Sequence, residues 1–531
     1  MKRLCYIVAL LLPLTLCAQQ KTARIDKSLS IFNDVMRQLD MNYCDTLNYE
    51  DITETAINQM LRKVDPYTVY YPKKKDDDLR MLTTGKYGGI GAIIQQREVT
   101  NDKGKKEKQI IVANPYEGKP AQRNDVLAGD IILAVDGVSS KDKQVSDISE
   151  LLRGVPGTTV KLELLRDGQK IAREFPREEI RVAPVDYYTV FRSQKSEVSN
   201  PVGYIGFSEF TEGSAQDFKR ALDEIVKSNH INGLVIDLRS NGGGIIDEAI
   251  QIVSNFVPAG TLVVSTKGKI STANSTYKTK SEPSYPNLPL VILVDKNSAS
   301  AAEILSGSLQ DLKRATLVGQ RTFGKGLVQN LRPIAYDGHL KVTTSRYYLP
   351  SGRCIQAIDY AEMQKGNKLK KDTAGGILPD IVLSDSSKVD ISYTLYSQHY
   401  FFDYSVLYHR KHDAIAKPEE FNLTDEDIAD FCNFLKEKNF TYETETSKYF
   451  HEVLEMAKME DLDSATIKQL EDFEILLKPS YEEAIQRNID EVKETLGAEI
   501  VERYYFQKGR IAYMLRFDDE LSRAIEVFAT K

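Results

Sequence analysis

Ser300 and Lys325 are the two residues of this chain whose type and setting are best suited to covalent chemistry. Ser300 follows the apolar, β-branched run from Leu288 to Asp295, which is typical of a buried strand, and a helical spacing begins at Ala301. A serine on such a strand-to-helix turn is exposed, and the first free N–H groups of the helix point at the group it attacks. The turn therefore predicts an acyl-transfer nucleophile.

Lys325 lies between two glycines in the segment GQRTFGKGLVQ. The glycines allow close backbone approach, and an extended segment would place Lys325, Leu327 and Gln329 on one face. A lysine buried beside apolar neighbours loses proton affinity, because its charged form is poorly solvated there. Its neutral amine can then take a proton from a serine hydroxyl. The pair predicts a serine hydrolase that works without histidine, with Gln329 orienting the amine.

Each of these motifs also has an ordinary structural interpretation. Ser300 and Glu303 match the capping box S-x-x-E, which usually marks only the start of a helix. The turn from Ser240 to Gly244 follows the strand pattern of 233–239 and precedes a helical pattern, so its backbone donors could hold an anionic oxygen. A tight left-handed turn without a ligand explains the same glycines nearly as well. The combination with Lys325 favours the catalytic interpretation.

Three motifs in order, DLRSNGGG, SASAAEI and TFGKGLVQ, resemble those of the C-terminal processing peptidases, or tail-specific proteases, of the S41 serine peptidase family. The resemblance extends from about Leu29 to Leu383 and implies a protease core of the ClpP/crotonase-like type. It assigns roles to five residues: Ser300 as nucleophile, Lys325 as general base, Gln329 as the residue that positions the lysine, and the N–H groups of Gly244 and Ala301 as oxyanion hole. Ala302 replaces a second serine that many relatives carry, which affects none of these roles.

A second domain is predicted upstream, where short strand patterns surround the helical piece VSDISELLRG. This order resembles a PDZ domain. The segment of Tyr87, Gly88, Gly89, Ile90 and Gly91 occupies the place of the family's carboxylate-binding loop, where successive N–H groups hold the C-terminus of a peptide. A glycine-rich turn without a ligand remains the alternative for this segment alone, but GDIILAVDG favours the PDZ interpretation.

The complete chain is predicted to be a multidomain α/β (α+β) protein. Its predicted parts are a signal peptide (1–18), a helical N-terminal region (19–84), a PDZ domain (85–180), an S41 peptidase core (181–385) and a C-terminal helical domain (386–531). The N-terminal region has the apolar spacing of helices and then the turn DPYT at Asp65, and it is interpreted as a cap or dimerisation arm. The C-terminal helices are interpreted as an appended domain.

Composition narrows the function classes. The 531 residues are 41% hydrophobic and 28% charged, which is ordinary for a globular protein, and the net charge of −7 argues against a nucleic-acid partner. If Cys5 and Cys17 are removed with the signal peptide, the three remaining cysteines are too few and too widely spaced for a disulfide framework or a metal site, so no metal and no cofactor are expected. The six histidines lie in no recognisable catalytic setting, and the motifs G-x-S-x-G and H-E-x-x-H are absent from the sequence.

The N-terminus predicts export. Lys2 and Arg3 precede the apolar stretch from Tyr6 to Leu16, which is too short to span a bilayer comfortably, and cleavage after Ala18 is the preferred interpretation. Cys17 offers an alternative site of lipid attachment. Either pathway leads to the periplasm or the cell envelope, and no later segment of the sequence has the length and apolarity of a transmembrane helix.

The sequence thus favours an exported serine endopeptidase that binds unfolded or tagged protein C-termini through its PDZ domain. A catalytically weak peptide-binding adaptor of the cell envelope is the alternative, and the complete set of Ser300, Lys325 and Gln329 argues against it. Acyl-CoA chemistry on a crotonase-like core would leave the PDZ segment unexplained. Whether the chain forms homo-oligomers, and whether it needs an activator or adaptor protein, is left open by the sequence.

Overall fold

The computed structural model describes residues 23–100, 104, 106–191, 201–364, 375–384 and 390–529. The predicted signal peptide and Cys17 lie outside the described residues. None of the helices in the described part of the chain is both long enough and apolar enough to cross a membrane.

The N-terminal region is helical and is joined to the catalytic part by one short strand. Its elements are α1 (23–42), α2 (Tyr49–Arg62), β1 (Val69–Tyr71), a 3₁₀ turn (Lys73–Lys75) and α3 (Asp76–Thr84). The side chain of Asn48 caps α2 by accepting the N–H of Asp51. The strand β1 pairs antiparallel with a long strand of the core, with Val69 opposite Lys341. The turn that precedes β1 is thereby held against the catalytic sheet.

The region after α3, predicted to be a PDZ domain, contains a six-stranded sheet, a two-stranded sheet and two helices. Its elements are β2 (Lys86–Gly89), β3 (Ala92–Thr100), β4 (Lys106–Pro115), α4 (Pro120–Arg123), β5 (Ile131–Val135), β6 (Val138–Ser139), α5 (Val145–Leu152), β7 (Thr159–Arg166), β8 (Gln169–Pro176) and β9 (Glu178–Arg181). The strand β7 alternates exposed and buried residues, as expected of a strand with one face on a core. Its buried side chains Val160, Leu162 and Leu164 pack in one hydrophobic core with Ile148 and Leu152 of α5.

The core domain contains two sheets. Its elements are β10 (Val185–Phe191), β11 (Val202–Phe207), α6 (Ser214–Ser228), β12 (Gly233–Asp237), α7 (Ile246–Val253), β13 (Leu262–Gly268), a 3₁₀ turn (Ser271–Ala273), β14 (Ser275–Lys278), β15 (Leu290–Val294), α8 (Ala301–Asp311), β16 (Ala315–Gly319), β17 (Leu327–Pro333), β18 (His339–Tyr348), α9 (Tyr360–Gln364) and β19 (Ile381–Val382).

The main sheet of the core has the strand order β10-β11-β12-β15-β16-β19, and all its pairs except β10 with β11 are parallel. Every residue of β11, β12 and β15 is buried, as expected of parallel strands covered on both faces. The second sheet places β18 between β1 and β13, with β17 paired to β18. The hairpin of β17 and β18 lies against the turn that follows β15, because Tyr347 of β18 donates to the carbonyl oxygen of Ser300.

In the described residues, eight helices follow the core domain. They are α10 (Ile391–Ser397), α11 (Tyr400–Lys411), α12 (Asp425–Glu437), α13 (Glu445–Met459), α14 (Ser464–Leu476), α15 (Tyr481–Arg487), α16 (Ile489–Met514) and α17 (Asp519–Glu526).

The last of these helices covers the main sheet. Leu521 and Ala524 of α17 pack against Val291 and Leu293 of β15, on the face opposite to α7 and α8. Arg239, at the end of β12, pairs with Asp518 just before α17. The helical domain thus completes the packing of the main sheet, and the chain has the predicted order of N-terminal helices, a small sheet domain, an α/β core and C-terminal helices.

Candidate active site

Ser300 stands at the start of α8 in a backbone conformation that is unusual for a residue with a side chain. Its φ is 57° and its ψ is −115°. Such conformations cost about 1–3 kcal/mol and persist only where surrounding contacts hold them. Here Tyr347 Oη donates to the Ser300 carbonyl oxygen at 3.2 Å, and the N–H of Ala299 donates to the Asn241 carbonyl oxygen at 2.9 Å. The predicted strand-to-helix turn is present, and it is strained.

Glu303 connects the serine turn to the lysine segment. This carboxylate is fully buried, and its Oε2 accepts the backbone N–H groups of both Ser300 and Lys325, each at 2.9 Å. Its Oε1 accepts the N–H of Gly324 at 2.8 Å and the hydroxyl of Thr322 at 2.6 Å. Burial raises the pKa of Glu303, and the four donors oppose that rise. The predicted helix cap is present, because Glu303 accepts the N–H of Ser300, and the same carboxylate also links the serine turn to the lysine segment.

The amine of Lys325 is partly buried beside an aromatic ring. Nζ lies 4.6 Å from the centroid of the Tyr67 ring, which belongs to the turn before β1. Burial, and to a smaller extent the charge of Lys341, lower the pKa of Lys325 to about 8, although Glu303 and Asp65 oppose part of this shift. A lysine with this pKa is partly neutral near pH 7, as a general base requires. The DPYT turn gave no sign in the sequence that it would contact the lysine.

Gln329 belongs to a hydrogen-bonded chain that begins at the same turn. Its Nε2 donates to the Thr343 hydroxyl at 3.1 Å, and the N–H of Thr343 donates to the Thr68 hydroxyl at 3.3 Å. The Thr68 hydroxyl in turn donates to the buried carboxylate of Asp65 at 3.1 Å. Gln329 is therefore fixed by the neighbouring strand β18 and by the N-terminal region. Its amide oxygen is the group available to accept from an amine.

The glycine turn lies directly against Ser300. Gly243 and Gly244 have φ values of 97° and 140°, which side chains rarely tolerate. A Cβ at Gly243 would lie 2.6 Å from the Ala299 carbonyl oxygen and 2.8 Å from the backbone nitrogen of Ala301. Within the described part of the chain, no hydrogen bond occupies the N–H of Gly244 or of Ala301. Two unused donors beside a serine hydroxyl have the composition of an oxyanion hole.

These groups open into one cleft of about 1100 Å³. Ser300, Lys325, Gln329 and Gly244 all line it, whereas Ala301 is fully buried and offers only its backbone. The cleft extends past Tyr116 of the PDZ domain and past Phe506 of α16. A cleft of this size accommodates a segment of polypeptide.

One part of the predicted carboxylate-binding segment of the PDZ domain lies in a strand, and the other part lines a groove. Residues Tyr87, Gly88 and Gly89 form β2 and pair with β9. Gly89, Ile90 and Gly91 line a groove of about 200 Å³ between β3 and α5, together with Tyr87. The neighbouring helix α3 reaches this groove, which Met81 lines.

Arg153 links the groove to α3. Its Nη1 donates to the carboxylate of Asp78 at 2.7 Å, and its guanidinium lies 5.4 Å from the Tyr87 ring centroid. One end of the groove is thus tied to a helix from another region of the chain.

Other candidate groups lie away from the cleft. Asp311, at the far end of α8, accepts the N–H of Ser351 at 3.0 Å and pairs with Arg353, about 16 Å of helix away from Ser300. None of the six histidines lines the cleft. Across the residues that the structure describes, no group of His, Cys, Asp and Glu side chains could hold a metal ion.

Three family profiles match separate parts of the chain, and together they confirm the predicted fold class of PDZ domain, protease core and C-terminal helices. The profile described as peptidase family S41 matches residues 201–382, and a PDZ domain profile matches residues 111–166. A third profile, described as "Probable PDZ-protease, C-terminal helical domain", matches residues 391–528.

Comparison with curated proteins finds similar chains in several bacteria. The chain is 33% identical over 362 residues to the carboxy-terminal-processing protease of Bartonella bacilliformis, which covers 67% of this chain and 75% of that protein. It is 34% identical over 319 residues to a carboxyl-terminal-processing protease of Synechocystis, over 59% of this chain and 70% of the other. Among solved structures, a photosystem II D1 C-terminal processing protease is similar at 26% identity, with a TM-score of 0.38, over 66% of this chain and 86% of the other.

Proposed function

Since the chain belongs to peptidase family S41, with carboxy-terminal processing proteases as relatives, it is a serine-type peptidase, and we propose that it cleaves through a Ser300–Lys325 dyad. The single observation that carries the dyad is the carboxylate of Glu303. One of its oxygens binds the backbone of both residues, which are 25 positions apart in the sequence, and so brings them to the same cleft.

The proposed reaction has two halves. In the first, the neutral amine of Lys325 takes the hydroxyl proton of Ser300, and Oγ attacks the carbonyl carbon of the scissile peptide bond. The N–H groups of Gly244 and Ala301 stabilise the negative charge that develops on the carbonyl oxygen. The resulting ammonium of Lys325 gives its proton to the leaving nitrogen, the C–N bond breaks, and an ester to Ser300 remains.

The second half hydrolyses this ester. Lys325, neutral again, takes a proton from water, and the hydroxide oxygen attacks the ester carbonyl. The bond to Oγ breaks, Ser300 recovers a proton from the ammonium, and the acid product leaves. Gln329, fixed by Thr343, is assigned to hold the amine in line with Oγ through its amide oxygen.

The experiment that tests the dyad compares the mature chain with Ser300→Ala and Lys325→Ala, using an unfolded protein with an apolar C-terminus and mass spectrometry of the fragments. We expect cleavage by the wild type only. Lys267→Ala is the matched control, because this exposed lysine also lies near a tyrosine ring, at 4.9 Å from the Tyr348 centroid, but outside the cleft. Near-normal turnover of Lys325→Ala would contradict the proposal, and tail binding without cleavage by the wild type would favour the peptide-binding adaptor.

We further propose that the PDZ domain selects the C-terminus of the substrate. Support comes from the groove lined by Gly89, Ile90 and Gly91 and from the relatives, whose names describe carboxy-terminal processing. A peptide with a free C-terminus should bind the Ser300→Ala chain more tightly than the same peptide with a C-terminal amide. Equal affinities would contradict carboxylate recognition.

Export remains a proposal that rests on the basic and apolar residues before Ala18. Expression in a bacterium with a C-terminal tag, followed by fractionation and mass spectrometry of the mature N-terminus, tests it. A chain that begins at Gln19 would support signal peptide cleavage, and a lipid-modified Cys17 would support anchoring. An unprocessed cytoplasmic chain would contradict both.

A further inference from the structure

Phe506 interrupts the longest helix of the C-terminal domain. Within α16, its φ of 55° and ψ of −162° break the helix into two parts, although the residues on both sides are helical. This backbone region is populated almost only by glycine, and a side chain there costs about 1–3 kcal/mol. A phenylalanine at such a position needs contacts that stabilise its backbone.

The contacts that hold the kink come from both sides. Upstream, the hydroxyls of Tyr504 and Tyr505 donate to the carbonyl oxygens of His412 and Ile415, at 2.6 and 3.2 Å. Downstream, a Cβ at Gly509 would lie only 2.1 Å from the Tyr505 Cβ, so the two parts of the helix approach as closely as glycine allows.

An ion network spans the break and ties it to the PDZ domain. Arg510 Nη1 donates to Glu499 Oε1 at 2.6 Å, across the kink. Arg503, which is 4% exposed at its side chain, donates to the Ala113 carbonyl oxygen at 2.8 Å, and Asn114 donates to Glu502 at 2.6 Å. The network fixes this part of α16 against the end of β4.

Phe506 borders the cleft and lies outside the hydrophobic core of the helical domain. Tyr504 and Tyr505 pack against the core of the C-terminal domain, whereas in the described part of the chain no hydrophobic core includes Phe506. Phe506 lines the same cleft as Ser300 and Lys325, together with its exposed neighbours Gln507 and Lys508. The strained backbone thus lies where α16 borders the cleft, and it places an aromatic residue there.

We propose that Phe506 is a substrate-binding residue, which contacts a non-polar side chain of the polypeptide that extends from the PDZ domain to Ser300. The C-terminal helical domain then forms one wall of the substrate cleft in addition to covering the sheet. The occupant is a polypeptide, because the cleft that Phe506 lines is continuous with the nucleophile. This inference rests on the proposed function for the identity of the substrate.

The test measures binding in the Ser300→Ala background, so that it does not depend on cleavage. The probes are a fluorescent leucine-rich peptide and a matched peptide with each leucine replaced by serine. Both carry a C-terminal amide to remove carboxylate recognition by the PDZ groove. We expect Phe506→Gly to weaken binding of the leucine-rich peptide roughly tenfold, as the loss of one buried aromatic contact implies, and to leave the serine-rich peptide unchanged.

Melting temperature separates binding from packing. Because glycine adopts this backbone conformation freely, Phe506→Gly should melt no lower than the parent, and Phe506→Leu should keep selectivity for the leucine-rich peptide. The control is Phe517→Leu in the same domain, where the ring packs 5.2 Å from Tyr513, and it should lower the melting temperature without changing selectivity.

Three results would overturn the inference: unchanged affinity of Phe506→Gly for the leucine-rich peptide, an equal loss for both peptides, or a lower melting temperature of Phe506→Gly. A wild-type chain that fails to cleave would contradict the proposed dyad, and the binding data would still decide the role of Phe506.

Discussion

Two glycine-rich segments of this chain have similar composition and different structures. The turn 240–244 has three residues with positive φ, Ser240, Gly243 and Gly244, and no hydrogen bond of the described residues uses the N–H of Gly244. In the segment 87–91 only Gly91 has a positive φ, and Tyr87 to Gly89 pair as a strand with β9. Glycine permits both conformations, and the tertiary neighbours decide which one forms.

The sequence predicts in both segments a glycine turn whose N–H groups bind an anionic oxygen, but the two observed structures suit different functions. The first turn lies against Ser300 and keeps the N–H of Gly244 unbonded among the described residues, so it suits a charge that develops during a reaction. The second is mostly strand, with a groove that opens beside it, and suits a ligand that binds along the backbone. A substitution should therefore affect turnover in one segment and affinity in the other.

Gly243→Ala should have the largest effect. The new Cβ would press against Ser300 and the backbone nitrogen of Ala301, at 2.7 and 2.8 Å, and would displace the proposed oxyanion donors. We expect kcat to fall by about 10²–10³. In Gly89→Ala the Cβ meets only the Tyr87 ring edge, at 2.9 Å, so kcat should stay near wild type. Equal losses of kcat in the two variants would contradict the comparison.

Glu303→Gln should come next. The variant replaces one carboxylate oxygen by an NH2 group, so two of the four donors lose their acceptor and the connection between Ser300 and Lys325 loosens. We expect kcat to fall roughly 100-fold, because small displacements of reacting groups have effects of this size. Glu248→Gln is the control, because this buried carboxylate also accepts a backbone N–H, from Ala215 at 2.7 Å. It should lower the melting temperature and keep kcat. A large loss of kcat in both variants would point to general destabilisation.

Tyr67→Ala tests the environment of the general base through the pH profile of kcat/KM. With the wild type we expect the rate to rise with pH around the Lys325 pKa of about 8, because only the neutral amine accepts a proton. Removing the ring admits water, which favours the charged amine, so the pKa should rise toward its ordinary value of 10.5 and the profile should move upward by about one pH unit.

The expected consequence is roughly a tenfold lower rate near neutral pH. Tyr67→Phe, which keeps the ring, should retain the wild-type profile. Three charged groups also face Lys325: Lys341 on β18, Glu303 on α8 and Asp65 in the turn. Neither variant changes any of them. An unshifted pH profile in Tyr67→Ala would show that the Tyr67 ring does not influence the pKa of Lys325.

Asp78→Asn should have the smallest effect, at the PDZ groove. The partly exposed pair with Arg153 ties α3 to the groove, and releasing it should strengthen binding of a peptide with a free C-terminus about two- to threefold, in the range of surface ion pairs. Asp77→Asn makes the same charge change on an exposed neighbour and should leave the affinity unchanged. Weaker binding in Asp78→Asn would show that Arg153 needs this partner.

The sequence by itself determined the fold class and the local form of the candidate site. Continuous apolar runs became β11, β12 and β15, and the strand-to-helix turn at Ser300 formed where the spacing changed from strand to helix. These features depend on neighbours within a few residues. The assignment of catalytic roles to Ser300, Lys325, Gln329, Gly244 and Ala301 stays a prediction.

Only the tertiary structure decided which distant residues serve that site. Tyr67 is 258 positions from Lys325 and Phe506 is 206 positions from Ser300, and no local pattern links them. Glu303 fits a helix cap in the sequence, and its contacts with Gly324 and Lys325 exist only because the segment before β17 folds back against α8. Periodicity and turn chemistry act over a few residues, whereas the burial of an amine, a carboxylate or a ring depends on segments that meet only when the sheets pack together.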